Sequence, residues 1–260
     1  MAGLGIRRKG SWLIAMGFRP VWSHLQLTII YRIIDIKCLL SYMKTSILST
    51  FDSLPYFTVE GVKQLFSNDS TASGTIQTAL YRWMKSGHVI QLKKGVYMTR
   101  RFYELHHADA DFSMAVSAIL IPQSYVSLEF ILLRNAVLTE VTYPISAITL
   151  KNTRVIENSL GTFTYHHIKD DFYRGFSISD YYGILFAQAS VAKALFDYLY
   201  LRPWTGSMRS STYNLTEELR LNLEDFSSAD QNEFAEYVES SQVLKMEQVL
   251  KNLRRNVWRL

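Results

Sequence analysis

The chain has 260 residues, 48% of them apolar and 13% aromatic, which excludes an intrinsically disordered chain and supplies a full core, with about two domains expected at this length. Its net charge of +5 is unevenly spread: residues 1–42 hold six basic residues against Asp35 alone, Met43 to Leu105 eight against four acidic, and the remainder fourteen against eighteen. Cys38 is the only cysteine, which excludes an intrachain disulfide and points to a reducing, cytoplasmic setting.

Arg7-Arg8-Lys9 followed by Trp12 to Met16 starts like a signal peptide. Arg19-Pro20 cuts that apolar stretch short, and no small-residue cleavage site follows. A second apolar run, Leu25 to Tyr42, carries Arg32, Asp35 and Lys37, charges that are costly at mid-bilayer. Residues 1–42 are therefore read as an extension, dispensable for folding, with Met43 as the natural start and no membrane partner. A peripheral membrane helix is the alternative.

The next elements fall in residues 43–104. A helix from about Lys44 turns Ile47, Leu48 and Phe51 inward. Phe57 to Phe66 reads as a second helix, with Thr58 as N-cap and Val59, Val62, Leu65 and Phe66 on one stripe. Ser67 to Thr71 breaks it, since these side chains compete for backbone hydrogen bonds. A third helix, about Ala72 to Ser86, buries Ile76, Ala79, Leu80, Trp83 and Met84, and Gly87 stops it. Its other face shows Thr75, Thr78, Arg82 and Lys85, flanked by Gln77 and Tyr81, with Thr71 and Ser73 at the N-terminal end. Val89 to Leu92, Lys93-Lys94-Gly95 and Val96 to Met98 make a hairpin with two lysines at its tip.

This order is that of a winged helix-turn-helix. A helix offering hydroxyls, an amide and an arginine suits base edges, and a basic wing suits phosphates. Thr71, Ser73, Thr75, Gln77, Thr78, Tyr81, Arg82, Lys85, Lys93 and Lys94 are accordingly the candidate DNA-binding residues, and double-stranded operator DNA the expected partner. A helix pair and hairpin used only for protein contacts is the competing reading.

After Arg101 a short linker leads into residues 105–260. Helices are expected at about Asp109–Leu120, Ser127–Ala136 and Ser190–Leu201, with strands at Ile145–Leu150, Arg154–Glu157, Thr162–Ile168 and Ile184–Ala187. A helical tail follows at Leu215–Leu221, Ala229–Val238 and Val243–Trp258. The strands are segregated from the helices rather than alternating with them, so the body is α+β. Val243, Met246, Leu250, Leu253 and Val257 form an apolar stripe on the last helix, for core packing or for a partner.

Little in the body suggests catalysis or a metal. His166 and His167 are adjacent on a strand and point to opposite faces, and like His106-His107 they lack metal-site spacing. No phosphate-loop, dinucleotide or nucleophile-elbow motif occurs, so no catalytic residue, metal or cofactor is assigned and an enzyme is not expected. Lys151, Arg154, Tyr165 and His167 fall on neighbouring strands, as a cationic face for phosphates or an acidic protein, or as a solvated sheet face. Lys193 and Asp197, at i and i+4 and opposite Val191, Ala194, Leu195 and Tyr198, read as a surface ion pair worth a few tenths of a kcal/mol.

Three strings in order, YVSLEFILLRNAVLTE (Tyr125 to Glu140), ISAITLKNTRVIENSLGTFTYHHI (Ile145 to Ile168) and AKALFDYLYLRP (Ala192 to Pro203), resemble the AbiEi family, antitoxins of abortive-infection type IV toxin–antitoxin systems. With the Lys93 to Tyr97 wing, the resemblance covers roughly Met43 to Pro203. It implies an N-terminal winged helix-turn-helix that represses its own promoter, and an α+β antitoxin domain that neutralises a nucleotidyltransferase-type toxin encoded alongside. Lys151, Arg154, Tyr165 and His167 are the candidate antitoxin surface. The family places Pro-Glu before its Lys-Ala-Leu stretch, where this chain has Val191-Ala192. The alternative is a stand-alone, ligand-responsive winged-helix regulator, and the identity of the neighbouring gene separates the two.

Overall fold

In a computed structural model, which describes residues 48–65, 73–139, 144–203 and 213–258, the chain is a mixed α+β protein. Leu48 and Ser49 are helical, Thr50 and Phe51 already form a turn, and the part of the first expected helix before Leu48 lies outside the described residues. Leu48 and Phe51 are buried, and the Phe51 ring stacks on Phe57 at 4.4 Å. The second helix, α1 (Val59–Leu65), starts at Val59 as the Thr58 N-cap implied, and ahead of it Phe57 and Thr58 form β1 (Phe57–Thr58), which pairs with Tyr97 and Val96. Thr58 caps the helix, its Oγ1 accepting the Gly61 N–H at 3.1 Å. Val62 is fully buried, whereas Leu65 is exposed.

Helix α2 (Ser73–Lys85) buries Ile76, Ala79, Leu80 and Trp83, and Gly87, at φ +76°, ends it in the left-handed region that glycine enters at least cost. β2 (Val89–Lys93) and β3 (Val96–Thr99) form the hairpin, completing a three-stranded sheet of order β1-β3-β2. Where a short linker was expected, α3 (Arg100–His106) follows directly, capped by Thr99, whose Oγ1 accepts the Phe102 N–H.

The body is built on a six-stranded sheet of order β6-β7-β5-β4-β9-β8, comprising β4 (Ser124–Val126), β5 (Ile145–Thr149), β6 (Arg154–Asn158), β7 (Gly161–His167), β8 (Phe176–Tyr181) and β9 (Ile184–Ala189). β4 and β8 were not among the expected strands. The sheet is mixed: β5 pairs parallel with β7 and β4 parallel with β9, while the remaining pairs are antiparallel. Alternation along β5 divides the apolar residues between the faces. Ala147 joins Phe163, Tyr165 and the buried stripe of α4 (Phe112–Leu120); Ile148 joins Tyr125, Phe186 and the helices on the other side. Those helices are α5 (Leu128–Arg134), α6 (Val191–Leu201), α7 (Leu215–Glu218), α8 (Ser228–Ser241) and α9 (Leu244–Asn256). The stripe of α9 is core: Met246, Val249, Leu250 and Leu253 are buried.

The expected domain boundary near Leu105 is crossed by a single apolar cluster. Ile90, Leu92, Met98 and Phe102 pack with Phe112, Val116, Ile119, Phe163 and Tyr165. Leu48 to Leu260 accordingly forms one compact unit.

Candidate functional site

Helix α2 presents the polar face its periodicity promised. Gln77, Thr78, Tyr81, Arg82 and Lys85 are all exposed, at spacings of one, four, five and eight residues from Gln77, which keeps them on one side of a 3.6-residue helix. The Tyr81 ring is 61% exposed, and Arg82 and Lys85 give the last turn a positive end. Ser73 and Thr75 lie in the same helix, and Thr71 falls outside the described residues.

The two hairpin lysines part company. Lys94 is exposed beside Gly95, whose φ of +80° makes the tight turn. Lys93 instead folds back onto the body: its Nζ donates to the carbonyls of Ile119 at 2.7 Å and Leu120 at 2.9 Å. These carbonyls end α4, where the last helical C=O groups lack intrahelical donors and the helix dipole is negative. Burial, then the nearby Lys151 charge, lowers the pKa of this ammonium. Lys93 is thus a helix cap that ties the hairpin to the body, and it is not a free cation at the tip. Its acceptors lie 26 and 27 residues along the chain, so no local pattern announces the bond. The expected phosphate pair reduces to Lys94. Behind it, Arg100 donates its Nε–H to the Gly87 carbonyl at 3.3 Å and lies over the Tyr103 ring.

On the body, Lys151, Arg154 and His167 are exposed, but Tyr165 is fully buried. Its hydroxyl donates to the Ser117 carbonyl at 2.9 Å and accepts from the Ser117 hydroxyl at 3.1 Å, and burial holds the phenol above its ordinary pKa. Phe163 and Tyr165 share the β7 face turned to α4, and only at the strand end does that face reach solvent with His167. The apolar Phe163 two positions earlier was the signal that this face is core. The cationic face therefore loses Tyr165. Two of its polar side chains are already engaged locally, Arg154 with the Asn152 carbonyl and His167, whose Nδ1 lies 3.2 Å from the Leu150 carbonyl. His106 faces Asp109, and His107 lies 3.1 Å from the Tyr103 carbonyl; no group of three or more metal-ligating side chains occurs among the described residues.

The polar centre of the body is one that periodicity misassigned. Lys193 and Asp197, read as a surface pair, are both 0% exposed. The Lys193 ammonium bonds Asp197 Oδ1, while Tyr125 and Ser127 donate their hydroxyls to Oδ2 at 2.9 and 2.8 Å. Asp197 thus joins α6 to β4 and to the start of α5. The ammonium also lies 5.0 to 5.7 Å from the ring centres of Phe196, Tyr125 and Tyr237, close enough for cation–π attraction. Burial pushes the Lys193 pKa down and the Asp197 pKa up, and their mutual attraction opposes both shifts. Around the pair, Ser190 caps α6 by accepting the Lys193 N–H and donates to Glu233, to which Tyr237 also donates. Gly175, at φ +79°, lies so close against Tyr237 that a Cβ there would overlap the Tyr237 hydroxyl. The arrangement fixes α6 and α8 to the sheet.

Set against known proteins, the chain matches no protein-family model and no curated protein. No helix among the described residues is long and apolar enough to cross a membrane.

Proposed function

We propose that this protein is a DNA-binding antitoxin and autorepressor of a type IV toxin–antitoxin system. Its residues 43–104 act as a winged helix-turn-helix on operator DNA, and the α+β body neutralises a nucleotidyltransferase-type toxin. The observation that carries the DNA half is the two-sidedness of α2. One face is buried through Ile76, Ala79, Leu80 and Trp83, and the other offers Gln77, Thr78, Tyr81, Arg82 and Lys85 to solvent beside the Lys94 turn. Amide, hydroxyl and guanidinium groups in that arrangement fit base edges in a major groove, and the ammonium fits phosphate. The antitoxin half rests on the resemblance of the Tyr125–Glu140, Ile145–Ile168 and Ala192–Pro203 strings to AbiEi proteins. Lys151, Arg154 and His167 remain its candidate surface.

The test has two arms. Fluorescence anisotropy with the DNA upstream of the gene, against scrambled DNA of equal length, reads the first: equal affinities would remove sequence-specific repression. Co-expression with the product of the adjacent gene reads the second: growth arrest by that product, unrelieved by this chain, would remove the antitoxin role.

A further inference from the structure

Between the β2–β3 hairpin and the β6–β7 turn of the body runs an open groove of about 600 Å³. Asn158 fixes the body wall: its Nδ2–H donates to the Leu92 carbonyl at 3.1 Å, and its Oδ1 accepts the Leu160 N–H at 2.8 Å. The other wall carries Gln91 and Lys94 of the hairpin and Arg100 of α3. At Met84 and Gly87 the groove meets the end of α2, whose last turn exposes Arg82 and Lys85. Arg100 is positioned but not fully engaged. Its Nε–H bonds the Gly87 carbonyl at 3.3 Å and its guanidinium lies 5.7 Å from the centre of the Tyr103 ring, while no described residue accepts from its Nη groups. Lys93 also lines the groove, but its ammonium is turned to the end of α4.

We propose that this groove seats the sugar–phosphate backbone of duplex DNA next to the stretch read by α2, so that the Ser159 turn of the body belongs to the DNA interface. The inference rests on the DNA-binding reading above and extends it to the second half of the chain. Exposed cations lead from α2 into the groove, Arg82 and Lys85 at its mouth, then Lys94 and Arg100 in its wall, against one wall carboxylate, Glu157. Phosphate oxygens only accept hydrogen bonds, and the ammonium of Lys94, the open fork of Arg100, the Gln91 amide and the Ser159 hydroxyl all donate. A guanidinium pairs with phosphate through two parallel bonds, and one already held by Gly87 and Tyr103 loses less freedom on binding. A short acidic peptide in the groove would meet Lys94 and Arg100 and leave Arg82 and Lys85 outside. Duplex DNA, with one charge for about every 1.7 Å of its axis, can engage all four.

Fluorescence anisotropy of the full chain tests this, with the DNA upstream of the gene and a scrambled duplex of equal length, each at two salt concentrations. Arg100→Ala should weaken both duplexes alike by roughly tenfold and lower the salt slope by about 0.9. Ser159→Glu, on the exposed turn, should weaken both by roughly two- to fivefold at low salt, and Glu157→Gln should tighten both by a similar factor. Melting temperatures should stay unchanged in these last two variants, which decide the matter if Arg100→Ala fails to fold. Ser177→Glu, exposed on β8 at the opposite edge of the sheet, adds the same charge away from the groove and should leave affinity as it is. A wild type that binds DNA while Ser159→Glu acts no more than Ser177→Glu, and Glu157→Gln does not tighten binding, would overturn the groove and leave the α2 reading standing. A wild type that binds neither duplex would overturn both.

Discussion

The Lys193 ammonium and the Asp197 carboxylate, one helical turn apart, meet in a part of the protein that solvent does not reach. Removing one member leaves the other charged and uncompensated, which costs about 3–5 kcal/mol, whereas a surface pair at this spacing is worth a few tenths. Lys193→Met and Asp197→Asn should therefore each be strongly destabilising. The double variant should cost clearly less than their sum, because the new amide oxygen still accepts from Tyr125 and Ser127 while the unbranched thioether keeps the volume of the lysine stem. A urea-denaturation cycle over the four proteins measures this. Additive changes below about 1 kcal/mol would return the pair to the surface.

The hairpin and the body share a core, so the roles should not separate by cutting at Leu105. A chain of residues 105–260 would uncover Phe112, Val116 and Ile119, now packed on Ile90, Leu92, Met98 and Phe102. Each such side chain stabilises by about 1.5–3 kcal/mol when buried, and together they rival the whole stability of a domain. The fragment should bind a hydrophobic dye and melt without cooperativity. A sharp thermal transition matching that of the full chain would show that the cluster is dispensable.

Acid should loosen the junction between α3 and the β8–β9 hairpin. Tyr181 donates to Asp109 Oδ2 at 2.7 Å, and His106 Nδ1 stands 3.0 Å from the same oxygen. The Tyr181 bond first, and then His106, hold the Asp109 carboxyl below its ordinary pKa. A depressed carboxyl contributes stability that is complete above its unfolded value, near 4, and is lost as pH falls through the folded value. The melting-temperature gap between wild type and Tyr181→Phe should therefore narrow from about pH 6 to about pH 3. A gap that is constant with pH would mean that the hydroxyl acts through packing alone.

What sequence periodicity reveals, and what it hides, divides along physical lines. The α2 stripe and strand β7 were legible because each buries one face, so their apolar residues repeat at 3.6 or 2, whereas β5, buried on both faces, and β9 were legible as short β-rich runs. β4 was hidden because three residues after a proline show no period; it is a strand because β5 and β9 flank it. FSISDY does alternate, and that pattern was the available signal for β8. Lys193 and Asp197 were misplaced by a helical-wheel argument that presumes one wet face. Helix α6 is covered on all sides from Ala192 to Leu199, and a helix with only two charged residues in eleven was the warning. The Lys93 cap depends on a contact no local window contains.

That cap reshapes how the proposed winged helix should respond to mutation. Arg82 is exposed on the polar face of α2 and carries the rigid fork that suits a guanine edge. Arg82→Ala should cost roughly 1–3 kcal/mol and act at particular base positions. Lys94, exposed at the turn, suits phosphate. Lys94→Ala should weaken every sequence alike and lower the salt slope by about 0.9 for the lost contact. Lys93→Ala should do neither: its ammonium is held by Ile119 and Leu120, so the loss should appear as about 1 kcal/mol of folding stability with the salt slope intact. Trp83→Ala is the control for the buried face and should unfold the module rather than relax specificity. Affinity for operator and scrambled DNA at two salt concentrations, alongside thermal melts, separates the four cases. If Lys93→Ala changes the salt slope while Lys94→Ala leaves it alone, the hairpin meets DNA with the lysine that the unbound structure turns inward, and the Lys93 bond to α4 must break on binding.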